Sequence, residues 1–398
     1  MQRPLHDIRY EETRSMTART KPPFRGDHVG SLLRPRKLKD ARVRFLGPDT
    51  DDTNIGPHGN ADLAKVEDEC VRDVVRLQEE AGLKAATDGE FRRRSWWLEL
   101  PMTWEGFSAT RQGESPFGWK NEKGKQQDFS VLYLSGKVKW KPSAIVKAFE
   151  FLRDNTRLMP KVTIPAPLEI HCFMGGEAAI EASPHYSSSE EFWEDLVAAY
   201  RQEIKALTDV GARYIQLDDV AIPFICDPDY APVFRSWGRE PLEMLREYAK
   251  RVNQVLEGRP KDLTVTMHQC RGNREGLWAA TGGYDPVAEV LFNEIDVDGY
   301  FLEYDTERAG GFEPLRFVPE GKVAALGMVS TKTPKMEDKD ELKRRIEAAT
   351  RFAPLERLSL TTQCGFASSV KGNPLGEDDE KAKLSLIVET ASEVWTDA

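Results

Sequence analysis

The chain is 398 residues long, 40% of them hydrophobic and 31% charged, with a formal net charge of −10. That length supports one large domain or two ordinary ones, and the acidic balance excludes the basic face needed to bind nucleic acid or an anionic membrane. No apolar run approaches the ~18–20 residues of a membrane span, and five scattered cysteines do not make a disulfide framework, so a reducing, cytoplasmic setting is expected.

In chain order, residues 1–22 lack the apolar core of a secretory signal and carry Asp7, Glu11 and Glu12; they read as a flexible arm before a domain spanning 23–398. Phe24 to Leu33 reads as a strand running into a loop. A helix follows from Asn60, a natural N-cap, to a stop at Gly82. Its apolar positions Leu63, Val66, Cys70, Val74, Leu77 and Ala81 step by three and four, giving one buried stripe. "KAATDGEF" and "KVTIPAP" read as strands, and a second long helix runs to Gly211 with Ser189 as its expected cap. Strand "RYIQLDD", helix Pro241 to Leu256, strand "LTVTMHQ" and helix Pro286 to Glu294 continue the alternation. Strands "DGYFLEY" and "KVAALGM", helix Asp340 to Phe352, strand "RLSLTTQ" and helix Asp378 to Trp395 complete it.

About eight core strands with intervening helices predict a single (β/α)8 barrel, and the short apolar runs suit strands buried on both faces. An open doubly wound sheet is the rival, but no glycine-rich phosphate turn follows the first strand. Residues 103–143, around "VLYLSGKVKW", break the pattern and read as an inserted hairpin over one mouth of the barrel.

Within "TVTMHQC", residues i and i+2 of a strand point the same way, so His268 and Cys270 can aim at one point. Glu303 ends the next strand and Cys364 ends the last. All four would share the C-terminal rim, where active sites of this fold lie. Imidazole, thiolate and carboxylate are zinc ligands. Spacing alone leaves the bland alternative open, because H-x-C is a weak signal and buried cysteines are commonly inert packing residues, as Cys70, Cys172 and Cys226 are expected to be.

Eight motifs in order carry a resemblance: "HVGSLLRP", "TDGEFRR", "TIPAP", "YIQLDD", "MHQC", "FLEYD", "ALGMVSTKTP" and "TTQCGF". Together they resemble the catalytic C-terminal barrel of cobalamin-independent methionine synthase, and more closely its short single-barrel relatives. The resemblance implies a zinc ion held by His268, Cys270, Glu303 and Cys364. It further implies a homocysteine thiol that attacks a methyl carbon, with methyltetrahydrofolate as the type of donor. Glu303 would be the ligand that loosens when the thiol arrives, since hard oxygen suits zinc less well than sulfur. Ser31 would meet the substrate carboxylate, and Glu90 and Asp218 its ammonium group.

Two departures stand out. The chain has one barrel where the full-length synthases have two. Where those enzymes carry a proton-donating histidine, this sequence has Lys332, which could act as an acid, clamp an anion or simply brace a loop. A second enzyme reading follows: thiolate addition to an epoxide, as in epoxyalkane:coenzyme M transferases, with Lys332 meeting the alkoxide. A third is a non-catalytic zinc- or thiol-binding barrel. Arg92, Arg93 and Arg94 could clamp an acidic tail, and Trp96, Trp97 and Trp104 could wall a flat electrophile. The expected partners are small molecules, a thiol and an alkyl donor; a homo-oligomer is left open.

Overall fold

The structure, a computed structural model, describes residues 19–47, 59–110, 117–119, 127–128 and 131–398. Of the expected arm, residues 1–18 lie outside the described residues, whereas Arg19 donates its backbone N–H to Asp397 O at 3.1 Å and so joins the domain.

Runs of β-branched and aliphatic residues, bounded by Gly, Pro and Asp, form eight parallel strands. These are β1 (Gly26–Asp27), β2 (Ala85–Ala86), β3 (Val162–Pro165) and β4 (Tyr214–Asp219), followed by β5 (Thr264–Gln269), β6 (Gly299–Glu303), β7 (Val323–Val329) and β8 (Leu358–Thr362). Every residue of β3, β4, β6, β7 and β8 is buried, as strands covered on both faces require. Seven strands form one sheet in the order β1-β8-β7-β6-β5-β4-β3. The eighth, β2, pairs with Met159–Pro160, the segment leading into β3. On its other side the segment just past β2 is tied to the segment just past β1 by Leu32 N–H to Gly89 O (3.1 Å) and the Thr87 hydroxyl to Gly30 O (2.6 Å). The ring therefore closes, and the expected (β/α)8 barrel is present.

The helices follow their periodicity closely. Asn60 caps Ala61–Glu80, accepting from the N–H groups of Asp62 and Leu63. Pro241–Leu256 matches its expected bounds, closed by a Glu240–Glu243 capping box. One cap shifts: Ser188, not Ser189, accepts the Glu191 N–H, because its extended backbone aims the hydroxyl at the first turn while Ser189 is already helical. Six helices among the described residues went unforeseen: Arg36–Leu46, Ala144–Asn155, Pro167–Phe173, Gly176–Glu181, Ala221–Cys226 and Ala231–Ser236. Between β6 and β7, Gly310, Gly311 and Pro314 leave only two 3-10 turns, Glu307–Ala309 and Glu313–Phe317, as the crossover.

The inserted hairpin is present as antiparallel strands Glu105–Thr110 and Val131–Lys139. They lie along the helix Ser189–Asp209, where Trp140 Nε1–H donates to Glu203 (2.7 Å), and not across the mouth. Among the described residues of the insertion, Phe117 reaches the C-terminal rim, stacking on Phe224 at 4.2 Å. The opposite end of the barrel has a polar floor. There the fully buried Lys161 ammonium donates to His28 O (2.6 Å) and sits 3.5 Å from Asp27, over the Phe301 ring. Among the described residues, no helix is long and apolar enough to cross a membrane.

Candidate metal centre and cleft

At the C-terminal rim, β5 delivers His268 and then Cys270, whose N–H continues the ladder to Asp219 O (2.7 Å). Two residues past β8, after Gln363 N–H has bonded Val329 O, stands Cys364. The Sγ atoms of Cys270 and Cys364 are 3.3 Å apart, hydrogen-bond distance and far too long for a disulfide, and both cysteines are free. His268 Nδ1 is 3.1 Å from Phe301 O, an atom that only accepts, so the proton sits on Nδ1 and the Nε2 lone pair is free. That Nε2 is buried with no hydrogen-bond partner. One ligand atom from each of His268, Cys270 and Cys364 lies within 4.8 Å of the others. One nitrogen and two sulfurs, with the imidazole oriented by a backbone carbonyl, fit a zinc ion.

The electrostatics set the two thiols apart. Burial opposes ionisation of Cys364, but the Cys270 S–H and the adjacent His268 outweigh it and hold the thiol well below its usual range. Burial and the donated proton push Cys270 well above that range.

Glu303, at the end of β6, does not join the three within that 4.8 Å group. It is fully buried beside them; Oε1 accepts the Arg271 N–H at 2.8 Å and Oε2 has no hydrogen-bond partner. Arg271, equally buried, is braced by Tyr284 Oη (2.7 Å) and Gly282 O, and Tyr284 Oη in turn accepts the Glu303 N–H at 2.9 Å. Sequence reasoning missed Arg271, because its burial shows only once Gly282 and Tyr284 are folded around it.

A narrow cleft opens beside the sulfurs, lined among others by Ser31, Glu90, Trp96, Asp218, Asn273 and Gly365. Glu90 adopts a left-handed backbone (φ 60°), unusual for a residue with a Cβ, which turns its carboxylate inward. The Thr163 hydroxyl donates to its Oε1 (2.6 Å), while Oε2 is buried without a partner. Asp218, in register with His268 on the adjacent strand, accepts Gln216 Nε2–H at 2.6 Å. Burial pushes its carboxyl up to about 7 against the pull of His268, with Glu90 adding to the rise. Ser31 Oγ faces Gly365, where a Cβ would sit 2.0 Å from it; Gly365 is the second residue that went unforeseen.

Lys332 does not line the cleft. Its ammonium donates to Gly272 O (2.9 Å), Asn273 Oδ1 (3.2 Å) and Leu277 O (3.1 Å), which uses all three protons to brace the loop after β5. Arg92 pairs with Glu67 and Asp68, and Arg93 holds Thr163, so these two serve packing. Of the tryptophans only Trp96 borders the cleft; Trp97 packs on Phe173 (4.8 Å) and Trp104 on Tyr200 (5.1 Å).

Residues 173–392 match the family model described as "Cobalamin-independent synthase, Catalytic domain". The chain belongs to the cobalamin-independent methionine synthase family. It is 38% identical over 383 residues to the uncharacterised protein YxjH of Bacillus subtilis (strain 168), covering 94% of this chain and 96% of that one. The methionine synthase of Pyrococcus abyssi is 27% identical, with 85% of each chain covered. Among solved structures, a proposed vitamin-B12-independent methionine synthase from Listeria monocytogenes superposes with a TM-score of 0.72 at 32% identity, covering 96% of this chain and 99% of that one.

Proposed function

We propose that the chain is a zinc-dependent transferase that moves a methyl group to the thiol of homocysteine, giving methionine, with a methyltetrahydrofolate-type donor. The observation that carries the reading is the convergence of three unspent soft donors, His268 Nε2 and the two free cysteine sulfurs, beside a cleft within a family of methionine synthases. A zinc ion held by His268, Cys270 and Cys364, with Glu303 as the fourth and weakest ligand, would keep the substrate sulfur deprotonated and nucleophilic. We further propose a cytoplasmic setting and small-molecule partners only, a thiol and a methyl donor.

The chain's own residues supply the rest. Phe301 O fixes the histidine tautomer. The Gly272 N–H donates to Cys270 Sγ at 3.3 Å, tempering the charge on that sulfur. Glu90, whose Oε1 lies 3.8 Å from the Arg93 guanidinium while Oε2 has no partner, and Asp218 face the same cleft, which suits the ammonium of an amino acid. The Ser31 hydroxyl, which borders the cleft, suits the carboxylate. Lys332, with its protons engaged, is proposed as a positioning residue that sets the loop carrying Gly272 and Asn273; the acid for the donor is then supplied by another group.

The test is direct. Purified protein with homocysteine and methyltetrahydrofolate, as monoglutamate and triglutamate, should form methionine, and metal removal should abolish it. Turnover of a thiol with an epoxide, and none with the folate, would establish the epoxide reading in its place.

A further inference from the structure

Arg308 stands on the turn Glu307–Ala309 that follows β6. Its guanidinium lies over the Trp278 ring at 4.9 Å and is only 15% exposed, yet Nε and Nη2 are buried with no hydrogen-bond partner. Facing Nη2 are two buried carboxylate oxygens in the same condition: Glu303 Oε2 at 3.9 Å and Asp305 Oδ1 at 3.8 Å. Unmade hydrogen bonds between buried charged groups are costly, so a guanidinium and a carboxylate left just short of contact point to a second state in which they meet.

We infer that Arg308 is the positioning residue that receives the Glu303 carboxylate when an incoming thiol takes its place among the ligands. This rests on the zinc reading of the site. Oε1 stays on the Arg271 N–H as a pivot, and Oε2 is the oxygen that changes partner. An arginine suits the task because it is always charged and takes no proton from the thiol. Asp305, whose other oxygen is held by the Ser330 hydroxyl at 2.9 Å, keeps the guanidinium in place while Glu303 is away. Lys332, also near Asp305, is committed to the loop after β5 and does not compete.

The full-length protein loaded with cobalt(II) and titrated with homocysteine, followed by thiolate-to-cobalt absorption, tests this without turnover. Arg308→Met is expected to weaken homocysteine binding about tenfold or more while cobalt affinity holds. Arg308→Lys, which keeps the charge and the fold, is expected to fall between. In a Glu303→Ala background the Arg308→Met change should have no further effect, which a merely structural role would not produce. Homocysteine affinity within twofold of the parent in both single variants overturns the inference and leaves the zinc reading intact. Failure of the parent chain to take up cobalt at its cysteines overturns the zinc reading instead.

Discussion

The two halves of the rim are built by different means. On the β5, β6 and β8 side, regular strands run to their ends and present His268 and Glu303 by strand geometry, with Cys270 one residue and Cys364 two residues past the strand ends. On the β1 and β2 side the strands are two residues long and the work falls to turns: Glu90 at φ 60°, Gly89 at φ 67°, and Arg34 clamping Glu90 O (2.6 Å) and Ala367 O (2.7 Å). The first half positions donors through ladder hydrogen bonds that every strand has. The second positions carboxylates through strained backbone and a buried guanidinium. The metal half should therefore tolerate change in its surroundings but not in its ligands, and the amino-acid half should be sensitive to both.

The largest expected effect is on the ligands: Cys364→Ser or Cys270→Ser should lose most bound metal and about 100-fold or more in activity, checked by elemental analysis and initial rates. In the amino-acid half, Glu90→Gln should raise the KM for homocysteine about tenfold or more with metal content unchanged. Gly365→Ala, whose Cβ would collide with Ser31 Oγ, should do the same through shape, at a stability cost of about 1–3 kcal/mol in denaturant titration.

Lys332→Met separates bracing from acid catalysis. Losing three hydrogen bonds, one of them to Asn273 Oδ1, which keeps a second donor in Asn373 (2.9 Å), should cost about 1–3 kcal/mol of stability, while kcat of the folded fraction falls less than the KM for the donor rises. A drop confined to kcat with stability intact would make Lys332 the acid after all. The last expected effect, the one farthest from the cleft chemistry, is a slope. Burial pushes the Glu380 carboxyl, which accepts the Leu33 N–H at 2.8 Å, up to about 8. Between pH 4.5 and 8 the folded chain holds a proton that the unfolded chain has released, so stability falls as pH rises through that window and levels off above it. Glu380→Gln should flatten that slope.

Legibility in the sequence followed the same division. Alternating apolar runs and caps such as Asn60 made the barrel readable, and the i, i+2 pairing of His268 and Cys270 made one corner of the centre readable. Ser31, Glu90 and Asp218 came from resemblance, because no periodicity marks a left-handed turn or a two-residue strand. Lys332 stayed open between acid, anion clamp and loop brace, since a lysine's protons cannot be assigned before the loop Gly272 to Leu277 is folded around it. Arg308 and Arg271 were invisible for a related reason: a buried arginine declares itself only when its partners, distant in sequence, are in place.

The most direct test is zinc-edge X-ray absorption on the purified full-length protein, with and without homocysteine. Two sulfur ligands at about 2.3 Å, together with nitrogen and oxygen ligands, should become three sulfurs on adding the thiol, with loss of the oxygen. A protein that binds no zinc, or whose sulfur count is unmoved by homocysteine, would contradict a metal-centred thiol chemistry at this rim.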